Sequence, residues 1–289
     1  MSYRCIVLVK QVPDTSNITG EAMKEDGTIN RAALPTIFNP EDLHALEAAL
    51  EIKDRFGGSV TVLTMGPPKA ADVLRDCLYR GADRAILITD RRAAASDTLA
   101  TGYILSQAVK TIGDFDFVFC GRQAIDGDTA QVGPQCAEKL EIPQITYLEE
   151  IIEVKEKEAT LKRNIGNGWE IVKTRLPALI TVVETANDPR PWSVRKMMKN
   201  KHKRVPSELA INVESNDLTE LQNKNDLLEQ WNLDDIHADL NRCGIAGSPT
   251  KVFRIQSIVL KKEGFTEIAP TDEGIHGLIH ELVNDRTLG

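Results

Sequence analysis

The chain has 289 residues, a formal net charge of −8 and 42% hydrophobic residues. This length fits one large domain or a domain with an appendage, and the apolar content indicates a packed core. The acidic total argues against a protein that binds nucleic acid. Because no apolar run is long enough to span a bilayer, direct membrane insertion is not expected.

The cysteine pattern argues against a metal site. No two of the five cysteines have CxxC spacing and none lies beside a histidine cluster, so neither a zinc nor an iron–sulfur centre is expected. Reduced cysteines are typical of a cytoplasmic protein. The N-terminal apolar run is too short for a signal peptide, which also favours a cytoplasmic location.

Short apolar runs alternate with helical segments through the first half of the sequence. Asn39-Pro40-Glu41-Asp42 predicts a helix start with Asn39 as N-cap. Further helices are predicted from about Pro68 to Arg80 and from an Asp97 N-cap towards Gly113. The apolar runs resemble buried parallel strands, which are apolar on both faces. These runs are Cys5–Val9, Val60–Met65, Ala85–Ile88, Phe117–Cys120 and, later, Ala178–Val183.

This order of elements predicts an α/β fold with a doubly wound, mostly parallel sheet. Ligands of such sheets bind beyond the carboxyl ends of the strands. The loops expected at those ends are Lys10–Asp14, Met65–Lys69, Thr89–Thr101 and Gly121–Gly133.

The pattern changes in the middle of the chain. Tyr147–Lys155 and Thr160–Ile165 alternate as β-strands do, and Gly166-Asn167-Gly168 predicts a hairpin turn before Trp169–Arg175. We expect these segments to form an antiparallel hairpin at the edge of the sheet. From Glu208 onwards the sequence is polar with few apolar runs, which predicts an extended C-terminal arm that wraps another surface.

Residues 120–134, the central loop, join a predicted strand to a predicted helix. Unpaired backbone N–H groups and the helix dipole favour an anion at such a position. Gly121 and Gly127 allow the backbone to approach a ligand closely. Asp128 either accepts hydrogen bonds from ribose hydroxyls or caps a helix at Thr129, and capping is the safer interpretation. The loop has neither GxGxxG nor GxxxxGK[ST], so it is neither the usual dinucleotide fingerprint nor a P-loop.

A second candidate is the predicted helix start Asp97-Thr98-Leu99-Ala100-Thr101. Thr98 and Thr101 are three residues apart, so both hydroxyls can face one anion beside free N–H groups. An ordinary N-terminal helix turn is the alternative. Taken with the central loop, this helix start favours a pyrophosphate.

The sequence has no catalytic constellation. The five histidines are scattered, no serine lies in a GxSxG elbow, and no pair of acids stands out as an acid–base couple. We therefore expect a nucleotide site without a protein nucleophile or base, at which any chemistry comes from a cofactor.

Residues 190–204 carry a run of basic side chains and no acid. A solvated helix face and a docking patch both explain this charge. Charge alone does not decide between them.

Distinctive motifs occur along nearly the whole chain, and the Gln-Ala-Ile-Asp-Gly-Asp segment at 123–128 is the specific one. The others are Val9-Lys10-Gln11-Val12-Pro13-Asp14, Phe38-Asn39-Pro40-Glu41-Asp42, Gly66-Pro67-Pro68, Arg80-Gly81-Ala82-Asp83-Arg84-Ala85, Leu176–Val182, Asn187-Asp188-Pro189-Arg190-Pro191 and Gly247–Val252. Together these motifs resemble the beta subunit of electron-transfer flavoprotein.

The resemblance implies a heterodimer with an alpha subunit that carries electrons on flavin, and a sheet of the adenine-nucleotide-α-hydrolase type. In ordinary members the beta subunit binds a structural AMP. In electron-bifurcating members FAD takes that position and accepts a hydride from NADH. One electron then goes to ferredoxin or flavodoxin, and the other goes through the alpha subunit's FAD to an acyl-CoA dehydrogenase or a quinone reductase.

Segments 97–101 and 127–134 resemble the bifurcating, FAD-containing type. FAD brings a pyrophosphate where AMP brings one phosphate, so a second hydroxyl-bearing helix start is useful. A non-bifurcating subunit with a structural AMP is the alternative. A nucleotide sensor of the universal-stress type, which shares the sheet but is shorter, is a third.

The resemblance also implies roles for individual residues. Thr98 and Thr101 would bind the FAD phosphates, and Gly121 and Asp128 would belong to the same site. The loop after the Pro-Arg pair would anchor the partner dehydrogenase. The residues implied for that anchor are Trp192, Val194, Lys196 and Lys199. The residues implied for the adenosine half, largely through backbone, are Val9, Asn39, Met65, Ala124, Gly127, Ala130, Gln131 and Val132.

The implied organisation has three parts. Residues 1–190 would form the nucleotide- or flavin-binding α/β domain. Residues 191–207 would form the basic partner-recognition loop and helix. Residues 208–289 would form the C-terminal arm, which packs on the alpha subunit.

Overall fold

A computed structural model describes residues 2–14, 34–209, 228–250 and 267–284. Strands and helices alternate from residue 36 to residue 140, after which four strands follow one another. In chain order the elements are β1 (Tyr3–Leu8), β2 (Gln11–Pro13), β3 (Thr36–Phe38), α1 (Pro40–Phe56), β4 (Gly58–Met65), α2 (Ala71–Arg80), β5 (Arg84–Ile88), α3 (Thr98–Ile112), β6 (Phe117–Gly121), α4 (Val132–Leu140), β7 (Gln144–Lys155), β8 (Glu158–Asn164), β9 (Trp169–Arg175), β10 (Ala178–Val182), α5 (Val194–Asn200), α6 (Pro206–Leu209), β11 (Glu229–Trp231) and α7 (Asp272–Asn284).

One nine-stranded sheet has the order β11-β5-β4-β1-β6-β10-β7-β8-β9. Neighbouring strands from β11 to β7 are parallel, whereas β8 runs antiparallel to both β7 and β9. A separate antiparallel pair is formed by β2 and β3. The predicted doubly wound, mostly parallel α/β sheet is confirmed.

Helices cover both faces of the sheet because its central strands are apolar on both faces. Every residue of β6 and of β10 is buried. On one face α1 and α2 pack through side chains that include Leu46 and Leu74. On the other face α3 and α4 pack through side chains that include Ile104 and Cys136.

The sheet changes its winding direction between β1 and β6. From β1 the sheet continues to β4 and β5 on one side, and from β6 it continues to β10 and β7 on the other. Such a switch point leaves a crevice beyond the carboxyl ends of the two strands. The segments after Leu8 and Gly121 therefore flank this crevice.

The predicted antiparallel edge is confirmed, with one difference in how it joins the sheet. Strands β7, β8 and β9 form the antiparallel edge. However, β10 lies between β6 and β7 and is parallel to both. The reason is burial, since Ala178–Val182 is apolar on both faces and suits an interior position.

Part of the C-terminal region packs on this chain's own sheet. Strand β11 pairs in parallel with β5, and Leu233, Ile236 and Cys243 are buried in the same core as α3. The sequence did not predict β11, because three residues are too few to show a period. The apolar run Val252–Leu260 lies outside the described residues, and α7 contains no buried residue.

Within the part of the chain that the structure describes, no helix combines the length and the apolar character needed to cross a bilayer.

Candidate nucleotide site

A cleft of about 410 Å³ opens at the switch point of the sheet. Each of the four loops that the strand order indicated contributes to its lining, with Lys10, Met65, Thr98 and Gly127 as examples. This volume lies in the range of small-molecule sites. The cleft is therefore the candidate ligand site of the fold.

All but one of the cofactor-site residues named from the sequence line this cleft. Asn39 is the exception, since it is fully buried and contacts the central loop from within the protein. The residues that line the cleft are Val9, Met65, Thr98, Thr101, Gly121, Ala124, Gly127, Asp128, Ala130, Gln131 and Val132.

The central loop takes an irregular course before α4. Asp128 and Ala130 have left-handed backbone conformations, with φ of 54° and 53°. The predicted cap at Thr129 is wrong, because α4 begins at Val132 and an N-cap residue needs extended backbone that Asp128 does not have. The Asp128 carboxylate instead accepts a hydrogen bond from Gln123 Nε2. Left-handed non-glycine residues cluster at functional sites.

Gly133 and Gly127 of this region differ in how closely other atoms surround them. A Cβ on Gly133 would lie 2.8 Å from Cys120 Sγ, so glycine allows the first turn of α4 to pack on the sheet. Around Gly127 no atom lies within 4 Å of the place that a Cβ would occupy. The backbone at Gly127 is therefore accessible to a ligand.

Asn39 holds the central loop rather than capping α1 with its side chain. It occupies the predicted N-cap position but makes no side-chain capping bond. Its Oδ1 accepts a hydrogen bond from Ile125 N at 3.1 Å, and its Nδ2 donates to Gln123 O at 2.9 Å. The buried amide thus fixes the backbone on both sides of Ala124.

The acidic residues in the first turn of α1 hold the loops after β1 and β6. Glu41 accepts a hydrogen bond from Gln123 N at 2.8 Å. The Asp42 carboxylate accepts hydrogen bonds from Gly121 N at 2.9 Å and from Lys10 N at 2.8 Å. Burial raises the pKa of Asp42 to about 7, although these hydrogen bonds and the Lys10 charge lower it. The cleft lining therefore includes a carboxyl group that titrates near neutral pH.

Two helix starts meet at the cleft. Asp97 caps α3 as predicted, since its Oδ1 accepts a hydrogen bond from Ala100 N at 3.0 Å. Thr98 Oγ1 donates to Gln131 Oε1 at 3.0 Å, which joins the start of α3 to the start of α4. The first N–H groups of a helix have no partner within it, and the helix dipole favours an anion there. Asp97 already accepts from Ala100 N, so the donors left for the phosphates of a nucleotide are the Thr101 hydroxyl and the remaining N–H groups of the two helix starts.

Arg122 and Lys10 are cleft cations that are absent from the predicted set. Arg122 pairs with Glu41 at 2.5 Å and lies over the Tyr147 ring, while its Nε is buried without a hydrogen-bond partner. Lys10 Nζ pairs with Asp126 at 2.7 Å. The sequence could have indicated both residues by their position, because each follows the end of a buried strand. Each cation is balanced by its carboxylate partner, so the donor that remains for a ligand is Arg122 Nε.

The buried cysteines and His44 belong to the packing of the fold. Among the described residues, no group of three His, Cys, Asp or Glu side chains could hold a metal ion. Burial raises the pKa of all five cysteine thiols, which keeps them protonated near neutral pH. His44 Nδ1 lies 2.9 Å from Asn187 O and joins two segments of the fold.

The residues implied for partner binding lie on α5 or just before it. We call Trp192, Val194, Lys196 and Lys199 the recognition patch. Trp192 is 51% exposed and Val194 is 70% exposed. Both lysines are also exposed. The Trp192 ring packs edge-on against Tyr79, with 5.7 Å between ring centroids. The patch is therefore held on α2 and faces outward.

Comparison with known proteins places the chain in one family. The family model of the electron transfer flavoprotein domain matches residues 26–210. The chain is 39% identical to the electron transfer flavoprotein subunit beta of Clostridium acetobutylicum, over 96% of both chains. It is 42% identical to the protein FixA of Azorhizobium caulinodans, over 92% of this chain and 90% of FixA. It is 41% identical to CarD, a subunit of the caffeyl-CoA reductase-Etf complex of Acetobacterium woodii, over 87% of this chain and 86% of CarD.

These matches run along nearly the full length of both partners and include the central loop, the start of α3 and the recognition patch. They exclude the alternative that the chain is a nucleotide sensor of the universal-stress type. The chain therefore belongs to the electron transfer flavoprotein family, as a relative of its beta subunits and of FixA.

Proposed function

We propose that this chain binds FAD in its cleft. With an alpha subunit it passes electrons between NADH, ferredoxin or flavodoxin, and an acyl-CoA dehydrogenase or a quinone reductase, by flavin-based bifurcation. The observation that carries the proposal is the meeting of two helix starts at the cleft, joined by the hydrogen bond between Thr98 and Gln131. Two helix starts offer more N–H donors than one, and a pyrophosphate has more oxygens to accept them than a single phosphate has. FAD, when bound, supplies hydride acceptance and the release of single electrons.

The chain's own residues would bind and orient this cofactor. The Thr101 hydroxyl and the N–H groups at the starts of α3 and α4 would donate hydrogen bonds to phosphate oxygens. The Thr98 hydroxyl has one proton, which it would turn from Gln131 Oε1 to a phosphate oxygen. The exposed backbone around Gly127, together with Val9 and Met65, would hold the adenosine half. Because Asp97 holds the start of α3 through Ala100 N, the backbone donors there need little reorganisation on binding.

A structural AMP is the second candidate ligand, in a non-bifurcating subunit. The central loop supports it equally, since the adenosine half is common to AMP and FAD. Under that alternative Thr98 and Thr101 would have no second phosphate to bind. The two threonines are therefore the residues that distinguish the two candidates.

The names of the relatives support the proposed partners. The Clostridium acetobutylicum relative is named as a subunit, which supports assembly of this chain with an alpha subunit. CarD is named as part of a complex with a caffeyl-CoA reductase, which supports a partner enzyme that acts on a CoA thioester.

The recognition patch is our proposed docking surface for the dehydrogenase. Arg190, just before the patch, pairs with Glu47 and with Asp54, each at 2.8 Å. Ser193 N donates to Tyr79 O at 3.0 Å. An exposed apolar pair surrounded by cations and held on two helices suits an acidic partner surface with an apolar pocket.

Cofactor analysis of the heterodimer tests the proposed function. The chain is co-expressed with the alpha subunit, the cofactors are released by acid, and FAD and AMP are counted per heterodimer. We expect two FAD molecules and no AMP. One FAD with one AMP would support the structural-AMP alternative and contradict bifurcation.

A further inference from the structure

Residues 244–250 lie across the segment that leads into α3. Ser248 Oγ accepts a hydrogen bond from Asp97 N at 2.8 Å and donates to Gly244 O at 2.7 Å. Asp97 Oδ2 accepts from Thr250 N at 3.0 Å, and Gly244 N donates to Ser96 Oγ at 3.1 Å. We call Ser96, Asp97, Gly244, Ser248 and Thr250 the clasp.

Asp97 is the centre of the clasp because its two oxygens serve different segments. Oδ1 caps α3 through Ala100 N, and Oδ2 holds Thr250 N. Slight burial would raise the pKa of Asp97, but hydrogen bonds from Ala100, Thr250 and Leu99 lower it. The carboxylate is therefore ionised at neutral pH and accepts both sets of hydrogen bonds.

The clasp depends on a close approach of two backbone segments. Ser248 is buried. Gly244 has a φ of 56°, and a Cβ there would lie 2.1 Å from Arg92 O. A Cβ on Gly247 would lie 2.0 Å from the backbone carbon of Arg242. Glycine at these two positions therefore allows residues 244–250 to fold tightly beside the segment that precedes α3.

The other side of the same segment lines the cleft. Ser96, Asp97, Thr98 and Thr101 are all cleft residues. Asp97 thus contacts residues 244–250 through its carboxylate and precedes the first threonine of α3 directly. The position of the α3 start depends on contacts that come from 150 residues further along the sequence.

We propose that Ser248 and Thr250 are positioning residues for phosphate binding: through Asp97 they fix the start of α3, so that residues 244–250 and a phosphate-bearing nucleotide in the cleft stabilise each other. This inference rests on the proposed nucleotide site. Coupling of two binding events is reciprocal, so each must strengthen the other by the same factor.

The first experiment compares two ligands that differ in their phosphates. The heterodimer is freed of its bound nucleotide by brief exposure to acid at high salt and is returned to neutral buffer. It is then titrated calorimetrically with ADP and with adenosine. The variants are Ser248→Ala and Asp97→Ser. Serine is a good helix N-cap but has a single oxygen, so Asp97→Ser keeps the cap of α3 and loses the hold on Thr250. The matched control is Ser106→Ala, a buried serine of α3 whose hydroxyl donates to Tyr103 O.

The loss of one or two hydrogen bonds at the start of α3 predicts about 10-fold weaker ADP binding in both clasp variants. Adenosine binding should change by less than about 2-fold, because adenosine has no phosphate at α3. The Ser106→Ala control should bind both ligands as the wild type does. Clasp variants that lose equal affinity for ADP and adenosine, or that lose none for either, would overturn the inference. The proposed site would still stand, because the wild type would bind both ligands.

Hydrogen exchange tests the reciprocal effect. In the wild type, saturating ADP should slow amide exchange at Ser248 and Thr250 by about the same factor by which the clasp variants lose ADP affinity. Adenosine should not slow this exchange. In Asp97→Ser this slowing should disappear. Exchange that ADP leaves unchanged would overturn the coupling. If the wild-type heterodimer binds neither ligand, both the proposed function and this inference are wrong.

Discussion

The Asp42 carboxylate accepts a 2.9 Å hydrogen bond from the backbone N–H of Gly121, the last residue of β6. Its other oxygen accepts from Lys10 N, just beyond β1, at 2.8 Å. One buried side chain at the start of α1 therefore joins the ends of the two strands that flank the switch point. Since the cleft opens between these ends, its shape depends on this link.

Removal of the Asp42 carboxylate should destabilise the fold. Asp42→Ala leaves two backbone N–H groups without their acceptor, which should lower the free energy of unfolding by about 2–4 kcal/mol. Urea unfolding of the chain measures this change. Asp83→Ala is the control, because Asp83 accepts from a single backbone N–H, that of Val60. Asp83→Ala should lower the free energy of unfolding by less than Asp42→Ala does. An Asp42→Ala protein that is as stable as the wild type would contradict the role of Asp42.

The raised pKa of Asp42 predicts an unusual dependence of stability on pH. An aspartate in an unfolded chain titrates near pH ~3.9, whereas the pKa of Asp42 in the folded chain is about 7. Between these values the folded state binds more protons than the unfolded state. The Asp42 carboxyl therefore makes its full contribution to the free energy of unfolding below about pH 4, and this contribution is lost as the pH rises through 7.

Urea unfolding of the wild type and of Asp42→Asn across pH 4.5 to about 8 checks this dependence. Relative to the variant, the wild type should lose stability as the pH rises, with an upper bound on the order of 4 kcal/mol. Above pH ~8 the difference should level off. A difference that stays constant over this range would show that Asp42 is ionised throughout.

Charge reversal in the recognition patch should weaken docking without affecting the cleft. The Lys196→Glu/Lys199→Glu double variant should slow electron transfer to the partner by about 10-fold at low salt, and the effect should shrink as salt is added. Stopped-flow reduction of the partner measures the rate. Lys155→Glu, an exposed lysine at the end of β7, is the matched control. Unchanged rates at low salt in the double variant would refute the docking role.

Arg190 should contribute to stability through its pairs with α1. Arg190→Ala leaves the buried Glu47 carboxylate without its partner, and we expect a loss of about 1–3 kcal/mol because Arg190 is itself partly exposed. A double-mutant cycle by urea unfolding measures the pair. In a Glu47→Gln background the same substitution should cost clearly less. Additive losses would mean that the two residues do not act as a pair.

Much of the fold could be predicted because its strands carry strong local signals. The runs around Val7, Val62 and Val118 are apolar on both faces, which is how covered parallel strands differ from loops. The place of β10 between β6 and β7 could not be predicted, since the pairing of strands that are distant in sequence depends on tertiary packing. Strand β11 escaped prediction because Glu229–Trp231 is short and polar.

The place of the cleft could be predicted, but not all of its construction. Strand order alone locates a ligand beyond the strand ends, and the threonines of α3 indeed line the cleft. Asn39 was expected to cap a helix, and its side chain instead holds the central loop. Asp128 was expected to cap and takes a left-handed conformation. Local patterns identify such residue types. The partners of Asn39, however, lie 84 and 86 residues away and appear only in the folded chain.

The central claim, that this cleft holds an FAD through the start of α3, is tested most directly by counting flavin in the heterodimer with the double substitution Thr98→Val/Thr101→Val. Valine keeps the shape of threonine and removes the hydroxyl. After extensive dialysis the wild type should retain two FAD molecules per heterodimer and the double variant one. Thr111→Val, on the same helix with its hydroxyl on Gln107 O, should retain two. Two tightly bound FAD molecules in the double variant, or one FAD with AMP in the wild type, would contradict the claim.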